Sequence, residues 1–292
     1  MAEVEIAAGG NAVLGESPLW SPREAALYWV DINNPTVHRL DPASGERRHW
    51  RIETETGSIG LAGPGLLVAG LRTGAHYLDL ESGKIEAICD PEGEGRFNRN
   101  RMNDGKIDRA GRFWVGTMND PGHAPEGTLW RIDKDGTAEP MMRGIRIPNA
   151  LCWSPDSSVM YFTDSYSNEI WAFDFDLATG TMENRRVFAR IPEGEGVPDG
   201  ATVDADGFVW CARMFGGRVS RFDPAGAVER TVELPVPQVT SCAFGGAGLD
   251  TLYITTASLG MDRAALAEQP LAGALFAADP GVRGLAEPEF GA

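Results

Sequence analysis

The sequence predicts an all-β protein, a six-bladed β-propeller with four strands per blade that fills residues 1–292 as a single domain. Three observations predict it. Apolar strand anchors recur at Trp29, Val68, Trp114, Phe162, Trp210 and Tyr253, spaced by 39, 46, 48, 48 and 43 residues. A period of about 40–50 residues made of short strands is the signature of propeller blades. Each anchor is preceded, 10 to 13 residues upstream, by a polar residue that opens another strand: Glu16, Ser58, Asn103, Asn149, Asp199 and Thr240. Asp-Gly turns join such strands, as between Val197 and Trp210, because Gly takes the positive φ that a tight hairpin turn needs.

In chain order, residues 3–7 alternate polar and apolar and read as a strand. Added to the last blade, it would close the ring and remove an exposed edge. Blade 1 takes residues 15–18, 27–31 and 36–40, and blade 2 takes residues 58–62, 66–70 and 76–80. Blade 3 opens with the polar segment 96–106, continues through Phe113 to Met118, and after a loop over 119–126 resumes at Thr128. Blade 4 covers 148–149, 160–164 and 169–175; blade 5 covers 197–210 and 217–222; blade 6 covers 240–245, 251–255 and 274–278. Residues 261–269 are the one stretch expected to be helical. Trp29, Trp114 and Trp210 are expected in the core.

With 42 acidic and 26 basic residues the net charge is −16, which disfavours nucleic acid and anionic membranes, since both recruit Lys and Arg. The start of the sequence carries no basic and apolar leader pattern, and no run approaches the 18 or so apolar residues of a membrane span. Cys89, Cys152, Cys211 and Cys242 show no Cys-x-x-Cys spacing and are expected as free thiols in a reducing cytoplasm. The expected assembly is a monomer or weak dimer.

Several chemistries are absent. His38, His49, His76 and His123 are scattered, which argues against a histidine-rich zinc site. There is no Gly-x-Ser-x-Gly elbow and no phosphate loop. Asp133 to Gly136 and Asp204 to Gly207 resemble the start of a calcium loop, but the position of its bidentate Glu holds Gly144 and Phe215. They read as hairpin turns.

What remains is the ring of opening residues. In a propeller the first strand of each blade lines the central channel, so these six should converge near one mouth. Glu16, Asn149 and Asp199 offer two carboxylates and an amide oxygen, a set suited to a hard divalent cation with positions left for water or substrate. Pro-Asn and Pro-Asp-Gly are also ordinary turn sequences, and spacing leaves both readings open. Asn103 and Asp104 share the repeat position in blade 3 and read equally as turn residues. Arg101 belongs either to a solvated cluster with Arg96 and Arg99, or to a set of planar donors for substrate oxygens at the channel mouth.

At these residues the sequence resembles the regucalcin/gluconolactonase (senescence marker protein) family of six-bladed propeller lactonases. The motifs are Gly15-Glu-Ser-Pro18, Asn103-Asp-Gly-Lys-Ile-Asp108, Gly116-Thr-Met118, Pro148-Asn-Ala150, Pro198-Asp-Gly200 and Ser241-Cys-Ala-Phe-Gly-Gly246, in order along nearly the whole chain. The resemblance implies one divalent cation (Ca²⁺, Zn²⁺, Mn²⁺ or Fe²⁺, a choice that varies among members) held by Glu16, Asn149 and Asp199, with Arg101 and Asn103 binding substrate. Where some relatives place a Glu pair after Gly-Thr-Met, this chain has Asn119-Asp120-Pro121. Asp120 is the substitute expected to contact substrate hydroxyls. The expected activity is cytoplasmic, metal-dependent hydrolysis of a sugar-acid lactone, with the metal as Lewis acid and Asp199 orienting or deprotonating the attacking water. The alternatives are a propeller hydrolase of aryl or phosphate esters and a non-catalytic binding scaffold.

Overall fold

A computed structural model of the chain describes residues 3–10, 12–93, 100–120 and 122–292. Arg96, Arg99 and Pro121, named above, lie outside the described residues. Strand β1 (Val4–Ala8) stands apart in sequence from the sheet it joins. Blade 1 is β2 (Gly15–Ser21), β3 (Ala26–Asp31), β4 (Thr36–Leu40) and β5 (Arg47–Arg51). Blade 2 is β6 (Thr56–Gly63), β7 (Leu66–Leu71), β8 (Gly74–Asp79) and β9 (Ile85–Cys89). Blade 3 is β10 (Asn100–Ile107), β11 (Phe113–Asn119), β12 (Gly127–Ile132) and β13 (Ala138–Ile145). Blade 4 is β14 (Pro148–Trp153), β15 (Val159–Asp164), β16 (Glu169–Asp176) and β17 (Thr181–Arg190). Blade 5 is β18 (Val197–Val203), β19 (Val209–Met214), β20 (Arg218–Phe222) and β21 (Val228–Glu233). Blade 6 is β22 (Val239–Gly245), β23 (Thr251–Thr256) and β24 (Leu275–Ala278), with β1 as its outer strand.

Each blade is a four-stranded antiparallel sheet whose strands follow in order, and β1 closes the ring by pairing antiparallel with β24. The anchors fall on the second strands, and the pleat turns their alternate side chains into the gaps between blades. Six apolar clusters result, one per gap. Leu19, Tyr28 and Ile59 pack blade 1 on blade 2, for example, and Trp114, Trp153 and Phe162 pack blade 3 on blade 4. Burying one such large side chain stabilises the fold by roughly 1.5–3 kcal/mol, so the ring is held at every joint.

Trp114 and Trp210 are fully buried, and each indole N–H donates to an aspartate at the foot of its own hairpin, Asp108 Oδ2 and Asp204 Oδ2, both at 2.8 Å. The Asp204 to Gly207 string is a turn between β18 and β19, with Gly207 at φ +84°, as its sequence requires. The helical stretch is α1 (Arg263–Glu268), shorter than the sequence suggests because Asp262 stands outside it as the N-cap, accepting from Ala265 N at 2.9 Å. All four cysteines are free.

Candidate active site

Every inner strand carries an extra residue relative to its partner at or beside the opening polar residue, and β6 carries a second between Leu61 and Gly63. The register slips between Glu16 and Leu19, Met102 and Gly105, Asn149 and Cys152, and Pro198 and Ala201. It also slips between Thr56 and Ser58 and between Val239 and Ser241. A bulge re-aims a side chain that the pleat would otherwise send into a blade gap. In blades 1, 3, 4 and 5 the result is a buried Glu16, Asn103, Asn149 and Asp199 lining one pocket of about 400 Å³. Ser58 and Thr240 do not join them. Both are fully buried in the wall, where Thr240 Oγ1 is held by Gly15 O at 2.5 Å and Thr255 Oγ1 at 2.9 Å. The expected ring of six is therefore a set of four. Gly116 lets blade 4 approach, since a Cβ there would lie 2.1 Å from Pro148 Cβ and displace the residue that carries Asn149.

A hydrogen-bonded chain runs around the pocket through four blades. Arg72 donates to Glu55 from Nε at 2.8 Å and from Nη2 at 3.0 Å, and Nη2 also reaches Asp120 Oδ2 at 2.8 Å. Arg101 Nε donates to the same Asp120 oxygen at 3.2 Å, and its Nη1 to Asn103 Oδ1 at 2.7 Å. Asn103 Nδ2 donates to Pro148 O at 3.0 Å and to Asn149 Oδ1 at 3.3 Å. Asn149 Nδ2 donates to Ser165 Oγ at 2.9 Å, and Ser165 Oγ to Pro198 O at 2.7 Å. The chain fixes the Asn149 amide with its nitrogen spent on Ser165. Arg101 is buried and partnered, which removes it from the solvated-cluster reading. Asp120 touches Arg101 and Arg72 and is not part of the pocket lining.

Glu16 and Asp199 have no ion-pair partner among the described residues, although both are buried. Burial, and then the charge of Asp104, push the Glu16 carboxyl up to about 8, against the opposing Ser17 N–H at 3.0 Å and the charge of Arg101. Burial also holds the Asp199 carboxyl well above the usual carboxylate range, with Glu16 and Asp104 adding to it. Burial lowers the Arg101 guanidinium, and Asp120 opposes that. Two buried carboxylates that repel each other and make no ion pair among the described residues, beside an oriented amide oxygen, fit a hard divalent cation. Among the described residues no three of His, Cys, Asp and Glu form a group that could hold a metal ion.

The upper wall is different. Leu14, Ile147, Val197 and Met214 make it apolar, and Tyr166 and Phe215 stand at its edge, 55% and 61% exposed. His123, Asn168 and Phe215 line it from loops joining second to third strands, and all three have positive φ (51°, 53° and 65°). His123 Nδ1 lies 3.1 Å from Tyr166 Oη, and the Arg146 guanidinium stacks over Tyr166 at 5.3 Å. Glu55, Arg72, Ser165 and these loop residues have no signal in the sequence. Their contacts cross between blades, from Arg72 in blade 2 to Asp120 in blade 3 and from Ser165 in blade 4 to Pro198 in blade 5.

A six-bladed propeller with an acidic, amide-bearing pocket at one mouth of its axis defines a class of ring-shaped hydrolases and binding proteins. Residues 14–258 match the SMP-30/Gluconolactonase/LRE-like region, and the chain belongs to that family. It is 39% identical to a 6-deoxy-6-sulfogluconolactonase of Pseudomonas putida over 96% of this chain and 95% of the relative. It is 36% identical to regucalcin of Gallus gallus, over 94% and 93% of the two chains. Among solved structures, a calcium-binding protein, regucalcin, from Agrobacterium tumefaciens superposes with a TM-score of 0.94 at 27% identity, covering 99% and 97% of the two chains. No helix among the described residues is long and apolar enough to cross a membrane.

Proposed function

We propose that the protein hydrolyses a sugar-acid lactone at this pocket, using one divalent cation held by Glu16, Asn149 and Asp199. The observation that carries the reading is the pair of buried carboxylates that make no ion pair among the described residues, in a chain 39% identical over nearly its whole length to a sugar lactonase. A bound divalent ion would supply Lewis-acid polarisation of the lactone carbonyl. Asp199 takes the role of orienting water against the carbonyl carbon and accepting its proton; the raised affinity of its carboxyl for a proton suits a general base. As the ring C–O bond breaks, the ring oxygen leaves with a proton as the free hydroxyl. Arg101 and Asn103 hold the ring and hydroxyl oxygens, and Asp120 sets the angle of the Arg101 fork. The substrate contact expected of Asp120 is thus proposed to run through Arg101.

The apolar upper wall with Phe215 and Tyr166 favours a second reading, hydrolysis of aryl esters. The experiment is turnover of pentono- and hexono-lactones, an aryl ester and a phosphotriester by chelator-treated protein, repeated with each of Ca²⁺, Zn²⁺, Mn²⁺ and Fe²⁺. Lactone opening restored by a metal is the expected result. Full activity without metal, or turnover of the esters alone, overturns the proposal.

A further inference from the structure

The face opposite the pocket is crossed by the C-terminal segment. Gly284 pairs with Asp204 and Glu289 with Leu61 as isolated bridges, and Phe290 N donates to Leu61 O at 2.7 Å. Gly284 N reaches Leu249 O at 2.8 Å, Gly291 N reaches Gly111 O at 2.8 Å, and Arg23 pairs with Glu289 at 2.9 Å. These contacts belong to turns and strand ends of five blades, so the segment straps the rear mouth of the channel. A Cβ on Gly284 would lie 2.2 Å from Phe244, so only glycine fits where the strap enters.

The strap brings Glu287 onto the axis. Its Oε1 lies 3.2 Å from Lys106 Nζ, and the same ammonium donates to Ala201 O at 3.1 Å. Both side chains are largely buried, at 18% and 17% exposure. They share a cavity of about 20 Å³ with Asp104, Ser241 and Cys242, inner-strand residues of blades 3 and 6. That is room for about one water, and none for a second hydrated cation. Asp104 and Asn103 are consecutive on one bulge, Asn103 in the pocket and Asp104 in the rear cavity.

We infer that Lys106 is the resident counter-cation of the axial channel, held by Glu287 of the C-terminal strap, and that this pair sets how tightly Glu16, Asn149 and Asp199 hold a divalent cation. The inference rests on the metal reading above. Lys106 is a positioning residue, since it touches neither substrate nor ligand oxygen. Glu16, Asp199, Asp104 and Glu287 bring four carboxylates to the axis, and Lys106 is the ammonium among them. The electrostatic link runs through Asp104, whose neighbour Asn103 lines the pocket: Asp104 acts on both Glu16 and Asp199, and Lys106 acts on Asp104.

The sign of the effect separates this role from simple packing. Glu287→Gln leaves the Lys106 charge uncompensated and repels an incoming cation, so divalent affinity should fall on the order of tenfold. Lys106→Met removes that repulsion, so affinity should rise on the order of tenfold, with a lower melting temperature as the carboxylates lose their counter-charge. The double variant should return near the wild-type affinity. The measurement is calorimetric titration of chelator-treated, full-length protein with Mn²⁺ and with Ca²⁺, alongside melting curves. Opposite shifts in the single variants support the inference. Equal affinities, or shifts in the same direction, overturn it and leave the pair a structural contact. If Lys106→Met does not fold, Glu287→Gln decides alone, and an unchanged affinity overturns the inference. A wild-type protein that binds neither ion overturns both this inference and the metal reading, whereas binding that ignores both substitutions overturns only the inference.

Discussion

Glu16→Ala and Asp199→Ala should each lower lactone turnover at least about a hundredfold, because each ~1.4 kcal/mol of lost transition-state stabilisation is tenfold. Calorimetry should show metal binding lost in the same variants while the β-type circular dichroism stays. Near-normal rates in Asp199→Ala would remove it from the mechanism. Asp120→Asn is a subtler test. It weakens a charge-assisted bond to Arg101, a class of interaction that contributes about 1.5–3 kcal/mol. The expected result is a KM raised by about tenfold with kcat nearly kept, a smaller effect than Arg101→Ala. An unchanged KM would make Asp120 a partner of Arg72 and nothing more. At this scale the sequence was informative where a polar residue opened a repeat, and silent elsewhere. Glu16, Asn103, Asn149 and Asp199 reach the pocket; Ser58 and Thr240 share their repeat position but are turned into the wall. Which way a bulge turns its side chain depends on the neighbouring blade.

The loops between second and third strands hold apolar or aromatic groups over the pocket at a backbone cost. Phe215 sits at φ 65°, a left-handed conformation costing a non-glycine residue about 1–2 kcal/mol. Phe215→Gly should relieve that strain while removing the aromatic edge of the pocket. The expected outcome is an unchanged or raised melting temperature together with a raised KM. A lowered melting temperature with unchanged KM would mean that the ring serves packing and not substrate. Among the elements, the first three strands of each blade were readable because they alternate or run apolar. The outer strands β5, β9, β13, β17 and β21 were not: exposed and polar, as in Arg47–Arg51 and Val228–Glu233, they lack a buried face to impose a pattern.

For the whole molecule, the axial carboxylates link stability to pH. In the metal-free protein the Glu16 carboxyl is raised from 4.5 to about 8. Its protonated form is favoured in the fold, so its stabilising contribution is fully present below pH 4.5 and is lost as pH rises through about 8. Chelated protein should therefore melt at a lower temperature at pH 8.5 than at pH 6, by a margin that Glu16→Gln reduces. Added divalent cation should recover stability, by about 2.7 kcal/mol at 100 times its dissociation constant. A melting temperature independent of pH and metal would mean that Glu16 is not the strained group described here. The ring itself should survive chelation, because its six apolar joints form without the ion.

The sequence by itself determined the number of blades, their inner three strands and the closing role of β1, since each follows from local apolar periodicity and turn chemistry repeated along the chain. It also supplied the candidate ligands Glu16, Asn149 and Asp199, because equal offsets in a repeat imply equivalent places around an axis. Only the tertiary structure decided that four opening residues share a pocket, that Arg72 and Glu55 brace Asp120 and Arg101, and that Glu287 reaches Lys106. Those contacts join residues 17 to 181 positions apart, as between Glu55 and Arg72 or Lys106 and Glu287. No local pattern encodes them, because the energy that selects them appears only once the blades have closed into a ring.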